Sequence, residues 1–372
     1  MAISNDKKEP LPTKETASSK PNISNEQPQG YDAFLQAGKK LKENKEAIAK
    51  PTNLTSHLNT FRNEGRLAPT YSITQLLLEK PEPLTFFSVL GREGILVKGW
   101  TTMFSSYPKL GKTELIYQIA CELASAGNII LIITEEPKLV WHVRIQRGET
   151  NGNNIGICFA LGKKDIVEEL IATTSASIII IDTVRSVLGL ENENDNSEIS
   201  RVLAPIINAA RANNKTLILL HHSRKGGGQN GEGITGGHAF LGIVDASIEI
   251  RPLDNKPRRR LLSGAARLFQ MPELIYEMND NGTLQIVGSP EDLKLESVQK
   301  NVLTILNDGW QSTAEIENQL TPSPSRSQLT DALQQLATDR KIDRQPLVSE
   351  GSRPGVTYKW KLKSSKGGET SD

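Results

Sequence analysis

The residues whose types and spacing could carry out chemistry are concentrated in one short loop, residues 106–113. The loop follows the apolar run 101–104, precedes the helix-like run 114–120 and ends in Gly-Lys-Thr. A loop between a strand and a helix presents backbone N–H groups and a helix N-terminus, which together bind anions. Lys112 would reach the outer phosphates of a nucleotide, and the Thr113 hydroxyl would bind Mg²⁺. We therefore predict a nucleotide-phosphate site in preference to an ordinary strand-to-helix turn.

The loop departs from the usual motif at one position, because Ser106 stands where a first glycine is common. Serine costs little there if its φ is negative, and Pro108 stiffens the loop. The predicted nucleotide contacts are consecutive in the chain: Ser106, Tyr107, Pro108, Lys109, Leu110, Gly111, Lys112, Thr113 and Glu114.

Candidate acid–base residues follow two further apolar runs. Glu135 and Glu136 come after the run 129–133, and Asp182 comes directly after the run 178–181. We expect Asp182 to hold the water shell of Mg²⁺. Glu135 is the predicted base that polarises the attacking water, with Glu136 as the alternate. The competing interpretation makes these acids helix N-caps at strand–helix turns.

A histidine pair follows the apolar run 217–220. We expect its second member, His222, to sense the γ-phosphate and to pass this information to the loop that follows. The alternative is a structural histidine, although the pair adjoins Arg224 and Lys225.

The elements that must position these residues form an alternating pattern. Apolar strands of four or five residues are separated by amphipathic helices, which is typical of a parallel sheet covered on both faces. The predicted fold class is therefore α/β. Ligands on such sheets bind at the carboxyl ends of the strands, where the candidate residues stand.

The length of 372 residues allows one large domain, a smaller one and some tail. We predict a mostly disordered polar tail over 1–70, a core over 71–290, a second domain over 291–363 and a flexible tail over 364–372. A loosely helical island at 31–50 could bind a partner protein, or could be a transient helix in the tail.

Composition limits the partners and the compartment. A net charge of +1 means that nucleic acid would be bound by local patches. Two cysteines, no run of membrane-spanning length and a polar start predict a cytoplasmic protein in a reducing environment, with no membrane partner.

The second domain resembles a winged helix. Helical spacing and two capping boxes indicate three helices, and two strands follow around a glycine-containing turn. Its third helix would enter the major groove of duplex DNA, although a protein-contacting role is the alternative. The predicted duplex contacts are Arg326 and Gln328 on that helix and Arg353 and Lys359 on the wing.

Four features of the sequence belong together: the loop ending in Gly-Lys-Thr, the Glu135-Glu136 pair, Asp182 and the His-His-Ser-Arg-Lys run at 221–225. In combination they resemble the plasmid RepA-type hexameric helicases. Those proteins belong to the RecA/DnaB superfamily, and the resemblance spans roughly 74–270. It implies a RecA-like core that uses ATP and Mg²⁺, with active sites between the subunits of a homo-oligomeric ring such as a hexamer. On this resemblance His222 is the polar sensor, and Arg267 is the arginine finger that reaches a neighbour's site. Ala265 stands where DnaB-like relatives carry a lysine.

The superfamily places contacts to single-stranded DNA on two loops. The first, 190–196, is acidic and unsuited to phosphates. The second, 224–233, is rich in glycine and carries Arg224 and Lys225 at its base, which could bind the strand. A further basic run, 256–260, is expected at a hairpin tip.

Two hypotheses follow. The first is an ATP-hydrolysing, DNA-interacting ring helicase or translocase of DNA replication or recombination. The second is an ATP-dependent regulatory switch that binds DNA or a protein through the winged helix without unwinding.

Overall fold

The computed structural model describes residues 73–79, 82–147, 152–223, 237–253, 256–279, 282–347 and 357–363. Some predictions lie outside the described residues: those for both tails, for the glycine-rich loop with Arg224 and Lys225, and for Arg353.

A nine-stranded sheet forms the centre of the main unit. A two-stranded antiparallel sheet, β1 (Phe86–Val89) and β2 (Arg92–Val97), precedes it. The nine strands are β3 (Thr101–Ser106), β4 (Ile130–Thr134), β5 (Ile155–Phe159), β6 (Ile178–Asp182), β7 (Thr216–His222), β8 (Ala246–Leu253), β9 (Lys256–Ala266), β10 (Leu274–Met278) and β11 (Leu284–Gly288). Their spatial order is β11-β10-β9-β8-β3-β7-β6-β4-β5.

The sheet has a parallel half and an antiparallel half. The pairs from β8 through β3, β7, β6 and β4 to β5 are all parallel, whereas β9, β10 and β11 add antiparallel pairs beyond β8. The predicted α/β class with a mostly parallel sheet is confirmed. Because β3 is bonded along both edges, to β7 and to β8, the strand before the phosphate loop is held firmly in place.

Helices cover both faces of the parallel half. They are α2 (Lys112–Ser125), α3 (Lys138–Arg147), α4 (Lys164–Thr173), α5 (Val184–Leu188), α6 (Asn196–Ala212) and α7 (Gly237–Ile243), and a short α1 (Ile73–Leu78) precedes the sheets. In β6, Ile178 and Ile180 pack with Leu115 of α2, while Ile179 and Ile181 belong to the opposite core. All four isoleucines are completely buried, which is why this strand is apolar throughout.

The C-terminal unit contains three helices and a small sheet. They are α8 (Pro290–Ile305), α9 (Thr313–Gln319) and α10 (Arg326–Thr338), with β12 (Gln311–Ser312), β13 (Ile342–Leu347) and β14 (Thr357–Leu362) in the order β12-β14-β13. Both predicted capping boxes are present, and a third at Ser289 starts α8. Trp360 closes a core with leucines of α10. The predicted three helices and strand pair are confirmed as elements.

Some elements differ from the prediction. The strands β1, β10 and β11 and the helices α5 and α7 were not predicted. The basic run 256–260 begins at the end of the β8–β9 hairpin, where Lys256 pairs with Leu253, but it belongs to β9 rather than to the turn itself. Arg259 pairs there with Glu277 of β10 at 2.9 Å, because antiparallel pairing brings the two residues opposite each other.

In the part of the chain that the structure describes, no helix combines the length and apolarity that a membrane span needs. The two cysteines, Cys121 and Cys158, are free thiols and half-buried.

Candidate functional site

The phosphate loop connects β3 to α2. Lys109 and Gly111 adopt positive φ angles of 65° and 84°, and α2 begins at Lys112 directly after this turn. No side chain of the described residues caps the helix, so the N–H groups of its first turn are available to another acceptor. An anion at this point would meet both those donors and the positive end of the helix dipole.

Residues of the antiparallel half pack on this loop. A Cβ atom added at Gly111 would collide with the Cε atom of Met278 on β10, and its φ would also be strained. Arg260 of β9 donates through Nε to the carbonyl oxygen of Leu110 at 3.4 Å. The loop is therefore fixed from two sides, by the β3 ladder and by the β9–β10 pair.

A cavity of about 350 Å³ opens beside the loop. Its lining brings together residues from the phosphate loop, from the first turn of α2, from α3 and from the carboxyl ends of β4, β6 and β7: Ser106, Lys109, Gly111, Lys112, Thr113, Glu114, Glu135, Glu136, Arg144, Asp182, Thr183 and His222. Most of the residues predicted from separate parts of the chain thus face one space. Tyr107, Pro108 and Leu110 belong to the loop but do not line the cavity.

Lys112 lines this cavity and is 5 % exposed. Its Nζ donates to the carbonyl oxygen of His221 at 3.0 Å and lies 3.3 Å from Nδ1 of His222. Burial lowers the pKa of the ammonium to about 8, against the attraction of Asp182 and Glu135. The side chain is still mainly protonated at neutral pH and can attract phosphate oxygens.

Asp182 ends β6 and is 3 % exposed. Burial raises the pKa of its carboxyl to about 6, although a hydrogen bond with the Thr113 side chain opposes this shift. Its Oδ2 is buried without a hydrogen-bond partner among the described residues. Mg²⁺ prefers oxygen ligands, and this site offers a buried carboxylate oxygen next to a threonine hydroxyl.

The described residues contain no group of three or more His, Cys, Asp or Glu side chains that could hold a metal ion by themselves. A magnesium ion at Thr113 and Asp182 would therefore share its coordination with water and with nucleotide oxygens, as is usual for this ion.

The two neighbouring glutamates have different partners. Glu135 accepts hydrogen bonds from Thr183, one from the backbone N–H and one from the hydroxyl at 3.3 Å. Glu136 instead binds Arg144 through both carboxylate oxygens, at 2.7 Å and 3.3 Å. Neither glutamate caps a helix, so the helix-cap interpretation is wrong for both.

Arg144, on α3, was missed by reasoning from the sequence. It lines the cavity, and its Nε also donates to Glu114 at 3.2 Å. The available signal was weak: a basic residue three positions after Trp141, whose ring lies 4.5 Å from the guanidinium carbon. Thr183, which holds Glu135, stands next to Asp182 and could have been found from that position alone.

His222 lies at the end of β7, beside Ser106 of β3. Burial, followed by the charge of Lys112, lowers the pKa of its imidazole to about 4. The ring is therefore neutral at pH 7. His221 does not line the cavity: its ring centroid lies 4.2 Å from that of Phe240, and its Nδ1 lies 3.7 Å from Glu193.

Arg267 does not face this cavity. It follows β9, donates to the carbonyl oxygens of Val244 and Gly242 at 3.2 Å and 2.8 Å, and lies 3.5 Å from Asp245. Its side chain is 52 % exposed. A role in a neighbouring subunit's site stays a prediction.

The predicted duplex-DNA residues have different environments. Arg326 is exposed at the first turn of α10, whereas the Gln328 side chain is used in the capping box with Ser325. Lys359 lies half-buried on β14. The structure gathers Arg326 and Gln328 at one helix end and leaves their contact with DNA a prediction.

Comparison with known proteins gives a consistent picture for the core. The model of a family described as "AAA domain" matches residues 90–228. The chain is 25% identical over 233 residues to "DNA repair protein RadA" of Mycobacterium tuberculosis, covering 59% of this chain and 46% of that protein. It is 29% identical over 201 residues to the protein of the same name from Campylobacter jejuni, covering 53% and 43%.

The chain thus spans about half the length of the curated relatives it matches. Among solved structures, the "Crystal structure of the RadB recombinase" aligns with a TM-score of 0.42 and 14% identity, over 52% of this chain and 92% of that one.

Proposed function

We propose that this chain binds and hydrolyses ATP at the cavity beside the phosphate loop. The observation that carries the proposal is the convergence of Lys112, Thr113, Asp182 and Glu135 on one space at the carboxyl ends of parallel strands. The AAA-domain match over 90–228 covers the segments that supply these four residues.

Each residue has a role that its surroundings support. Lys112 and the N–H groups at the start of α2 bind the outer phosphates. Thr113 and Asp182 would hold Mg²⁺, which when bound supplies positive charge against the phosphate oxygens. Glu135 orients the attacking water and accepts its proton, because its carboxylate is held in place only by neutral donors of Thr183.

His222 contributes as a neutral hydrogen-bonding group. Because the pKa of its imidazole is about 4, His222 neither gains nor loses a proton near pH 7. It therefore responds to the position of the Lys112 ammonium through their hydrogen bond, and not through a change in its own charge. This supports the role of a polar sensor at the end of β7.

The ATPase is proposed to act on DNA in recombination or repair. The relatives named DNA repair protein RadA support this setting. The finer proposal is a homo-oligomeric ring with helicase or translocase activity, in which Arg267 enters a neighbour's site. The exposure of Arg267 is compatible with this role, and its contact with Asp245 would have to be exchanged for the phosphate.

A regulatory switch is the second candidate, and one observation favours it. The backbone N–H groups of Glu191 and Asn192 are bound by Glu198, so the acidic loop is closed on itself rather than presented to a polyanion. In this version the C-terminal unit binds duplex DNA or a protein as a winged helix, because its helices and antiparallel strands have the order that such a domain requires.

The test is ATP turnover by the full chain with Mg²⁺, with and without single-stranded DNA, together with strand displacement. Lys112→Ala should lower turnover at least about 100-fold, whereas Lys163→Ala, at an exposed lysine that precedes α4, should leave it unchanged. Equal turnover in wild type and Lys112→Ala would refute the ATPase. Stimulation by DNA without strand displacement would favour a translocase, and no stimulation would favour the switch.

A further inference from the structure

Arg144 carries an inference that deepens the proposed ATPase. We propose that Arg144 is a positioning residue that gives the two adjacent glutamates different roles. It holds Glu136 as a structural link and leaves Glu135 as the proton acceptor. The proposal rests on the proposed function and adds a residue that the phosphate-loop motif does not contain.

The contacts of the guanidinium are unusually complete. Nη1 and Nη2 bind the two oxygens of Glu136 at 2.7 Å and 3.3 Å, and Nε binds Glu114 at 3.2 Å. The side chain is 10 % exposed and lies over the ring of Trp141, which is itself buried. A planar guanidinium in such a fork holds a carboxylate in one orientation, which a lysine could not do.

This fork decides which glutamate can act as a base. Both oxygens of Glu136 already accept charge-assisted hydrogen bonds, so a proton could be taken up only by giving those bonds up. Among the described residues, Glu135 accepts hydrogen bonds from the N–H and hydroxyl groups of Thr183, which are neutral. Its carboxylate can therefore receive a water without breaking an ion pair of the kind that holds Glu136.

The hydrogen bond from Arg144 to Glu114 connects two halves of the site. Glu114 directly follows the predicted magnesium ligand Thr113 on α2, and Glu136 directly follows Glu135 at the end of β4. Arg144 thereby ties the phosphate-binding helix to the strand end that carries the base. A change at Arg144 should disturb the placement of the base while leaving the phosphate loop itself in place.

The experiment compares kcat and KM for ATP in Arg144→Gln, Glu136→Gln and the double variant, with Glu135→Gln as reference. Glu135→Gln should lower kcat about 100-fold or more. Each of the other two single variants should lower kcat about 10-fold through misplacement of the base, with KM within about twofold. The double variant should be no worse than the poorer single one, because residues that act through each other are not additive.

Arg147→Gln is the matched control, since Arg147 is exposed on the same helix, and its kinetics should equal wild type. Arg144→Lys keeps the charge without the fork, and its kcat should lie between wild type and Arg144→Gln. If Arg144→Gln does not fold, Arg144→Lys and the nearly isosteric Glu136→Gln still decide the question.

Three results would overturn the proposal. A raised KM with unchanged kcat in Arg144→Gln would make Arg144 a direct nucleotide ligand. Multiplying effects in the double variant would mean independent roles, and a loss in Glu136→Gln as large as in Glu135→Gln would make Glu136 the base. Absence of turnover in wild type would instead be a failure of the proposed function.

Discussion

Removing the charge of Asp182 should stabilise the nucleotide-free protein above about pH 5. Burial raises the pKa of this carboxyl from its ordinary 3.8 to about 6. Between these values the folded chain keeps a proton that the unfolded chain has released, so the free energy of unfolding falls as the pH rises. The difference in pKa corresponds to about 3 kcal/mol, at about 1.4 kcal/mol for each pH unit.

The assay is urea unfolding of wild type and Asp182→Asn from pH 4 to pH 8, without nucleotide or Mg²⁺. Contributions from other groups largely cancel in the difference between the two proteins. Relative to pH 4, where the unfolded carboxyl is already more than half ionised, the free energy of unfolding of the variant should gain on that of wild type by about 2 kcal/mol at pH 7. Asp343→Asn, an exposed carboxylate on β13, should give a flat difference curve.

A flat curve for Asp182→Asn would refute the reasoning, because it would show that the carboxyl has the same pKa in the folded and the unfolded chain. The same variant should lose ATP turnover. Greater stability with lost activity is expected where a site holds a buried charge for function.

Four further predictions concern the loop, the core, the C-terminal unit and the sensor. Gly111→Ala should destabilise the fold by about 1–2 kcal/mol in thermal melts and weaken ATP binding, and Met278→Ala should not restore it because the positive φ remains. Ile180→Ala should cost about 2–5 kcal/mol in urea unfolding, since Ile180 is completely buried. Ser325→Ala should cost the C-terminal unit about 1 kcal/mol through the lost helix cap, measured as a lower melting temperature. His222→Gln should leave the shape of the pH–turnover profile between pH 5.5 and pH 8 unchanged, because His222 is neutral there; loss of a titration step would contradict this.

The parallel half of the sheet could be predicted because its strands are apolar on both faces. Runs such as 178–181 and 217–220 have few alternatives to a buried strand, and the residues that follow them must meet at one edge. Asp182, Glu135 and His222 line the cavity for this reason.

The parts that could not be predicted depend on long-range pairing or on side-chain direction. The strands β10 and β11 are short, and their register is set by β9 rather than by a strong local pattern. Arg144 was missed because arginine on a helix is usually solvated, and only the folded chain shows that Glu114 and Glu136 both turn toward it.

The hydrogen bond between Lys112 and β7 connects the phosphate loop to the main chain of a neighbouring strand. Besides its contact with the His222 ring, the ammonium is bound to a main-chain carbonyl, that of His221. A phosphate that draws the ammonium toward itself takes a donor from the tip of this strand, one residue before His222 and two before Ser223. Binding of a nucleotide would therefore change the hydrogen bonding of the main chain at the point where it leaves the sheet.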